Sequence, residues 1–112
     1  MFVGHVLLIP RAHHETLPDL PAGLVEPLFA RAQLLARAVR DAMDADGTFV
    51  AINNVVSQSV PHLHVHIVPR HHDDRLFSRN LAWTRHPYRD DDHMRQVAAA
   101  IRNALGDERH SD

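Results

Sequence analysis

Three histidines alternate with aliphatic residues in a nine-residue stretch bounded by Pro61 and Pro69. Because successive side chains of a strand point to opposite faces, His62, His64 and His66 are predicted to lie on one side of a strand. The aliphatic residues between them then face the core. Three imidazoles on one face repel one another once protonated, so their protonation is expected to be coupled.

Neutral imidazoles in this arrangement favour covalent catalysis of phosphoryl transfer. One imidazole is a usable nucleophile near neutral pH, a neighbour carries a proton, and a third orients the nucleophile. Together they divide one difficult transfer into two easier steps, with most of the rate coming from positioning and charge stabilisation at the phosphate. This scheme requires no metal and no other cofactor.

A zinc site is the main alternative for the three histidines, because imidazole is a common zinc ligand. No nearby cysteine or carboxylate is evident in the sequence to complete such a shell. A histidine-rich surface strand without any site is the remaining interpretation. The sequence His71-His72-Asp73-Asp74 is predicted to be a solvated loop rather than a metal cluster.

The composition limits the class of protein. A chain of 112 residues is long enough for one domain with a modest core. The formal net charge of -2 argues against a general nucleic-acid binder. The absence of cysteine excludes a disulfide framework and fits a reducing cytoplasm, and no apolar run is long enough to span a bilayer. A soluble cytoplasmic protein is therefore predicted.

Three strands and two helices are predicted to position the histidines. Their ranges are residues 1–9 for a strand, about 22–44 for a helix, 48–54 and 61–68 for two strands, and about 93–105 for a last helix. The long helix carries one apolar stripe, formed by Leu24, Leu28, Ala32, Leu35, Val39 and Met43. The short linker between the second and third strands favours an antiparallel hairpin, and the long helix is expected to pack on its core face.

Several residues are expected to set the ends of these elements. Pro27 is tolerated only near a first turn, so the regular part of the long helix is expected to begin after Ala22. The acidic run 90–92 is expected to cap the last helix, and Gly106 to end it. Residues 70–89 are predicted to form a long irregular loop, anchored by Leu76, Phe77, Leu81, Trp83 and Tyr88.

The stretch His62-Leu63-His64-Val65-His66-Ile67-Val68 resembles the signature of the histidine triad (HIT) superfamily, which comprises small nucleotide-binding hydrolases and transferases. Residues 4–13, 52–54 and 58–61 resemble other segments of that family, so the resemblance covers about residues 4–69. It implies an α+β fold, a small antiparallel sheet with one long helix packed on it and a C-terminal helix. The chain is expected to be a single HIT-like domain over 1–112, with an ordered core of about 2–106.

The resemblance implies a catalytic role for each member of the triad. His64 would attack the α-phosphate of a nucleoside 5'-phosphoryl compound and become a nucleotidyl-histidine. His66 would stabilise the phosphoryl oxygens or assist the leaving group. His62 would hold His64 in the required tautomer and orientation.

Four further residues would bind the substrate or support the triad by the same resemblance. Ser59 and its backbone amide would bind a phosphate oxygen, and Gln58 would lie beside it. Asn53 would lie on the leaving-group side, although the shortened linker leaves the choice between Asn53 and Asn54 open. His13 would be a fourth histidine that supports the triad through a hydrogen bond.

The resemblance also implies a purine nucleotide as substrate and a homodimer as the assembly, and exposed sheet edges favour pairing as well. Family members normally begin with a further segment before the position of Gly4, carrying a ribose-contacting acidic residue. Because that segment is absent here, the expectation is either a start codon assigned too late or a truncated domain. The alternatives to the enzyme are a catalytically impaired nucleotide-binding or scaffold protein, and a zinc-binding histidine module.

Overall fold

The computed structural model describes residues 3–74 and 88–110, and it contains three strands and two α-helices. The elements are β1 (Val6–Leu8), a 3-10 helix (Leu17–Asp19), α1 (Ala22–Ala42), β2 (Gly47–Ile52), β3 (Val65–Arg70) and α2 (Asp91–His110). The predicted α+β class is therefore confirmed. Four of the predicted loop anchors lie outside the described residues, namely Leu76, Phe77, Leu81 and Trp83.

The central strand of the sheet is β3, which pairs antiparallel with β1 on one side and with β2 on the other. The hairpin predicted for β2 and β3 is thereby confirmed. Because β3 has a neighbour on both sides and α1 across one face, the core side chains Leu63, Val65 and Ile67 are 0% exposed. They pack in one cluster with Leu28 and Val39 of α1, as the apolar alternation predicted.

The boundaries predicted for β3 are wrong at both ends. The strand begins at Val65 rather than at residue 61, because the preceding backbone bonds to a connector: the Leu63 N–H donates to the His14 carbonyl at 2.6 Å. The strand also continues through Pro69, which pairs with Thr48 of β2. Pairing with β1 has already ended at that point, so the missing N–H of proline removes no bond to β1.

The first strand is shorter than the predicted range of 1–9, because Gly4 turns the chain before it. Gly4 has a φ of 82°, a left-handed conformation that favours glycine. A Cβ atom at this position would lie 2.8 Å from Met43 Cγ and 3.1 Å from Pro69 Cγ. Both the backbone angle and the close packing therefore require glycine at position 4.

The long helix α1 begins at Ala22, so the expectation of a later start is wrong. The Leu24 N–H already donates to the Pro21 carbonyl at 2.9 Å, and Pro27 lies inside the helix. A proline removes one intrahelical bond, and water can replace it here because the first turns are exposed. Leu24 lies in these exposed first turns, so it is 41% exposed although it was predicted to lie on the core stripe.

The last helix α2 extends beyond its predicted range of 93–105 at both ends. Asp90 Oδ1 accepts a hydrogen bond from the His93 N–H at 2.8 Å, so the predicted acidic cap is confirmed. Gly106 does not end the helix but lies within it. Val97 and Ile101 of α2 complete the core beside α1. None of the helices in the described ranges is both long and apolar enough to cross a membrane.

Candidate functional site

The histidines of the triad lie at the beginning of the central strand. His62 and His64 precede β3 and His66 is its second residue, so the strand and its connector hold them together. His64 is the most buried of the three, with 7% of its surface exposed, and the other two are half-buried. The rings of His64 and His66 meet edge to face with centroids 4.9 Å apart.

A backbone hydrogen bond determines the tautomer of His64. Its Nδ1 lies 2.6 Å from the carbonyl oxygen of His62. A carbonyl oxygen can only accept, so Nδ1 carries the hydrogen and the neutral ring keeps a lone pair on Nε2. His62 therefore orients His64 through its backbone carbonyl, whereas the sequence alone suggested an orienting role without saying which atom performs it.

The ring of His62 is held by a different segment of the chain. Its Nε2 lies 3.1 Å from the Pro10 carbonyl oxygen, which accepts the hydrogen bond. His13, three residues after Pro10, is exposed and meets the His62 ring edge to face at a centroid distance of 5.2 Å. The predicted supporting histidine is thus in ring contact with the first histidine of the triad.

His5, for which no role was predicted from the sequence, lies in the histidine cluster. His5 Nε2 lies 3.0 Å from His66 Nδ1, and the ring centroids are 5.2 Å apart. Leu7 pairs with His66 across β1 and β3, and His5 lies two residues before Leu7 on the same face. The signal that points to His5 is therefore strand alternation combined with the register of β1 on β3.

Burial keeps the His5–His66 pair neutral. The pKa of His5 is lowered to about 4, chiefly by burial and then by the charge that His66 acquires on protonation. The pKa of His66 is lowered by burial and by the neighbouring charge on His64. At neutral pH both rings are therefore uncharged, and one hydrogen lies between the two facing nitrogens. The lowering of the His66 pKa by His64 agrees with the expected coupling of the histidines.

The second ring nitrogen of His66 lacks a hydrogen bond that a ligand could supply. Its Nε2 is buried and has no hydrogen-bond partner within residues 3–74 and 88–110. A buried polar atom without a partner is costly, because it has given up its bonds to water. A substrate oxygen placed between His64 and His66 would satisfy this nitrogen.

The two asparagines after β2 differ in their surroundings. Asn54 Oδ1 accepts a hydrogen bond from the Leu17 N–H at 2.8 Å, so its amide joins the hairpin to the connector. Asn53 is half-buried and follows Ile52, the last residue to pair with β3. Extending that register by one step brings position 53 opposite His64. The geometry therefore favours Asn53 over Asn54 as the residue that faces the site.

Gln58 closes the loop between β2 and the triad. Its Oε1 accepts from the Val55 N–H at 3.1 Å, and its Nε2 donates to the Glu15 carbonyl at 2.5 Å. Both ends of the predicted substrate-binding amide are thus used within the chain. Ser59, the next residue, is exposed on the approach to His62.

The same loop contains two non-glycine residues in the left-handed region. Val55 has a φ of 70° and Ser57 a φ of 63°. For a β-branched residue such as valine this conformation is a strained exception, with a typical cost of about 1–3 kcal/mol. The Gln58 amide bonds directly to the strained Val55 backbone, so it helps to hold the loop in a shape that glycine would adopt more easily.

Among the residues that the structure describes, no three His, Cys, Asp or Glu side chains are grouped so that they could hold a metal ion. The site instead contains the His64 ring, whose Nε2 has a lone pair, and beside it the neutral imidazole of His66. One hydrogen lies between the facing nitrogens of His66 and His5. This arrangement is suited to nucleophilic attack, with a neighbouring N–H that stabilises developing negative charge.

The sequence matches a known family and several of its members. The family profile "HIT domain" matches residues 1–73. The chain is 30% identical over 104 residues to adenylylsulfatase HINT3 of Arabidopsis thaliana, covering 91% of this chain and 52% of that protein. It is 35% identical over 79 residues to the asymmetrical bis(5'-nucleosyl)-tetraphosphatase of Schizosaccharomyces pombe, covering 69% and 42%. The chain thus spans about half the length of these curated relatives.

The fold also matches solved structures. A zinc-bound histidine triad family protein from Mycobacterium smegmatis superimposes with a TM-score of 0.76 at 34% identity. The match covers 98% of this chain and 74% of that one.

Proposed function

Because the chain belongs to the HIT domain family, we propose that it is a hydrolase or nucleotidyl transferase acting on nucleoside 5'-phosphoryl compounds. The observation that carries the proposal is the state of His64. Its Nδ1–H is held by the His62 carbonyl, and its Nε2 lone pair lies beside a second neutral imidazole. Relatives named as an adenylylsulfatase and a bis(5'-nucleosyl)-tetraphosphatase support a nucleotide as the substrate.

In the first step His64 Nε2 attacks the α-phosphorus. A bond forms between nitrogen and phosphorus, and the bond from phosphorus to the leaving group breaks with its electron pair on the leaving group. The His64 ring becomes a nucleotidyl-imidazolium, and the His62 carbonyl that accepts from Nδ1–H stabilises its positive charge. In the second step water or another acceptor attacks the phosphorus and releases His64.

His66 stabilises charge by donating a hydrogen bond. If His5 Nε2 donates to His66 Nδ1, the neutral His66 ring carries its own hydrogen on Nε2. That hydrogen is placed to bond a phosphoryl oxygen or the departing atom and to stabilise the negative charge there, and it stays on the ring throughout. In the second step the acceptor loses its proton to the departed group or to solvent, so both histidines return to their starting states.

The remaining residues of the site bind and support. Ser59 and its backbone amide bind a phosphate oxygen, and Asn53 lies toward the leaving group. Gln58 shapes the loop that presents them, a role supported by its bonds to Val55 and Glu15. His13 supports the ring of His62 by contact.

We also propose a purine nucleotide as the preferred substrate, a homodimer as the assembly and the cytoplasm as the compartment. Exposed apolar side chains on the first turns of α1, among them Val25 and Phe29, support the dimer. The absence of cysteine from the sequence fits a reducing compartment.

The proposal is tested with a fluorogenic adenosine 5'-phosphoramidate. The wild-type chain is expected to release the fluorophore with and without a chelator. The variant His64→Ala is expected to lose activity by at least about a thousandfold, because the covalent step requires that ring. Rapid quenching followed by intact-mass analysis is expected to detect an added nucleotidyl group on the wild type alone.

A matched control removes a histidine outside the site. The side chain of His72 is 92% exposed in the turn after β3, so His72→Ala is expected to keep wild-type turnover. Turnover that survives His64→Ala contradicts the mechanism. Binding of nucleotide without turnover supports the alternative of an impaired binding protein, and loss of activity with chelator supports the zinc alternative.

A further inference from the structure

Tyr88 joins the segment before α2 to the segment before β1. Its hydroxyl oxygen accepts a hydrogen bond from the Gly4 N–H at 2.9 Å, a contact between residues 84 positions apart. Gly4 directly precedes His5, whose ring bonds to His66. Two hydrogen bonds, joined by the backbone of residues 4 and 5, therefore connect the Tyr88 hydroxyl to His66 of the triad.

The backbone at Gly4 and His5 needs this anchor. Pairing between β1 and β3 begins with Val6 and Ile67, so residues 4 and 5 lie before the ladder. Gly4 is buried and turned into the left-handed region, where its N–H requires a partner other than a neighbouring strand. The Tyr88 hydroxyl provides that partner and fixes the direction in which the chain enters β1.

Tyr88 is itself held at the start of α2. Its ring packs against the hydrophobic core and meets the His93 ring edge to face, with centroids 5.4 Å apart. The His93 N–H donates to Asp90 Oδ1 at 2.8 Å, and His93 Nδ1 accepts from the Arg89 N–H at 3.1 Å. These contacts within the first turn of α2 restrict the position of the Tyr88 hydroxyl.

We propose that Tyr88 is a positioning residue that acts through Gly4 and His5 to hold the His66 ring toward His64. The inference rests on the proposed function of His66 as a hydrogen-bond donor to the reacting phosphoryl group. A bond of 3.0 Å between two ring nitrogens tolerates little displacement of either ring, since hydrogen bonds weaken steeply with distance and angle. Movement of the chain at Gly4 therefore changes the orientation of His66, and with it the geometry of the hydrogen bond that His66 donates to the substrate.

The variant Tyr88→Phe tests the inference, because it removes the hydroxyl and keeps the ring in the core. With the phosphoramidate substrate, kcat is expected to fall about tenfold with KM unchanged, since His66 acts in the reacting state rather than in binding. Imidazole 15N shifts followed against pH are expected to show the pKa of His5 rising from about 4 toward 6.5, as water gains access to the end of β1.

The matched control is Ile101→Val, a change at a buried core residue of α2 that lowers stability without removing a hydrogen-bonding group. It is expected to leave both kcat and the titration of His5 at wild-type values. Tyr88→Phe overturns the inference if His5 titrates as in the wild type, or if its kcat equals that of the control.

The titration of His5 requires no turnover. A chain that is inactive as wild type contradicts the proposed function, while the same 15N measurement on Tyr88→Phe still decides whether the hydroxyl positions His5. The two failures are thus distinguishable.

Discussion

The most informative side chain in the site is His5, because it adds to the triad a hydrogen-bonded neighbour that was not predicted from the sequence. It faces His66 from the position just before β1, so whether His66 Nε2 carries a hydrogen depends on which of the two rings donates. The His64 tautomer is likewise determined by a neighbour, the carbonyl of His62. At this scale the chemistry is set by hydrogen bonds to ring nitrogens rather than by the spacing of the histidines.

The low pKa of His5 predicts how stability changes with pH. The folded protein binds a proton at His5 only near pH 4, whereas the unfolded chain binds it near 6.5. As the pH falls through this window the unfolded state takes up the proton first, so the free energy of unfolding decreases. Above pH 6.5 both states are neutral at His5, and its contribution no longer changes. Urea unfolding at a series of pH values measures the effect.

The comparison of wild type with His5→Gln isolates this contribution from that of the carboxylates. The difference in unfolding free energy between the two proteins is expected to change between pH 6.5 and pH 4. Above pH 6.5 this difference is expected to be constant. His72→Ala, a change at an exposed histidine, is expected to keep the wild-type profile. A His5→Gln profile parallel to that of the wild type throughout the window contradicts the assignment.

At the scale of elements, both helices pass through residues that often end helices. Pro27 lies inside α1 and Gly106 inside α2. Either residue weakens a helix locally, but packing of the remaining turns outweighs one lost bond or one flexible residue. Neither Pro27 nor Gly106 therefore sets the end of its helix.

Gly106→Ala is expected to stabilise the protein by about 0.5–1 kcal/mol, because alanine restricts the unfolded chain and favours the helix. A Cβ at this position would meet no atom within 4 Å, so no packing cost opposes the gain. Urea denaturation measures the change.

Gly4→Ala is the matched comparison for that substitution. It is expected to destabilise the protein, because φ is 82° at Gly4 and the added atom would lie 2.8 Å from Met43 Cγ. A loss of stability in Gly106→Ala would show that residue 106 ends α2 after all.

At the scale of the whole molecule, the early turns of α1 and the residue after β1 leave large apolar groups exposed. Val25 and Phe29 are one helical turn apart on α1 and are 38% and 41% exposed, and Ile9 beyond the end of β1 is 55% exposed. A cavity of about 500 Å³ lies between β1 and α1, with Leu8 and Leu28 among its lining residues. Exposed apolar surface of this kind is typical of a face that packs against another protein.

The proposed homodimer predicts a mass in solution of twice 12.7 kDa by sedimentation equilibrium. Phe29→Glu is expected to shift the equilibrium to the monomer, because it places a charge in the apolar face of α1. Met94→Glu changes an equally exposed residue on α2 and is expected to keep the dimer. A wild-type chain that remains monomeric at all concentrations contradicts the proposal.

The sequence alone was sufficient to predict the family resemblance, the hairpin and the buried face of β3. Alternation predicts that Leu63, Val65 and Ile67 share one face of the strand. Helical periodicity predicts that Leu28, Ala32 and Val39 share one face of α1, and all six residues are buried. These features depend on neighbours within a few residues along the chain, so they are visible in the sequence itself.

The tertiary structure decided which groups complete the site. The contact of His5 with His66 spans 61 residues and that of Gly4 with Tyr88 spans 84, and both depend on the register of β1 and on where its pairing ends. The role of Gln58 in closing its loop likewise depends on a backbone carbonyl 43 residues away. Local periodicity carries no information about such pairings, because their geometry exists only once the strands and helices have packed together.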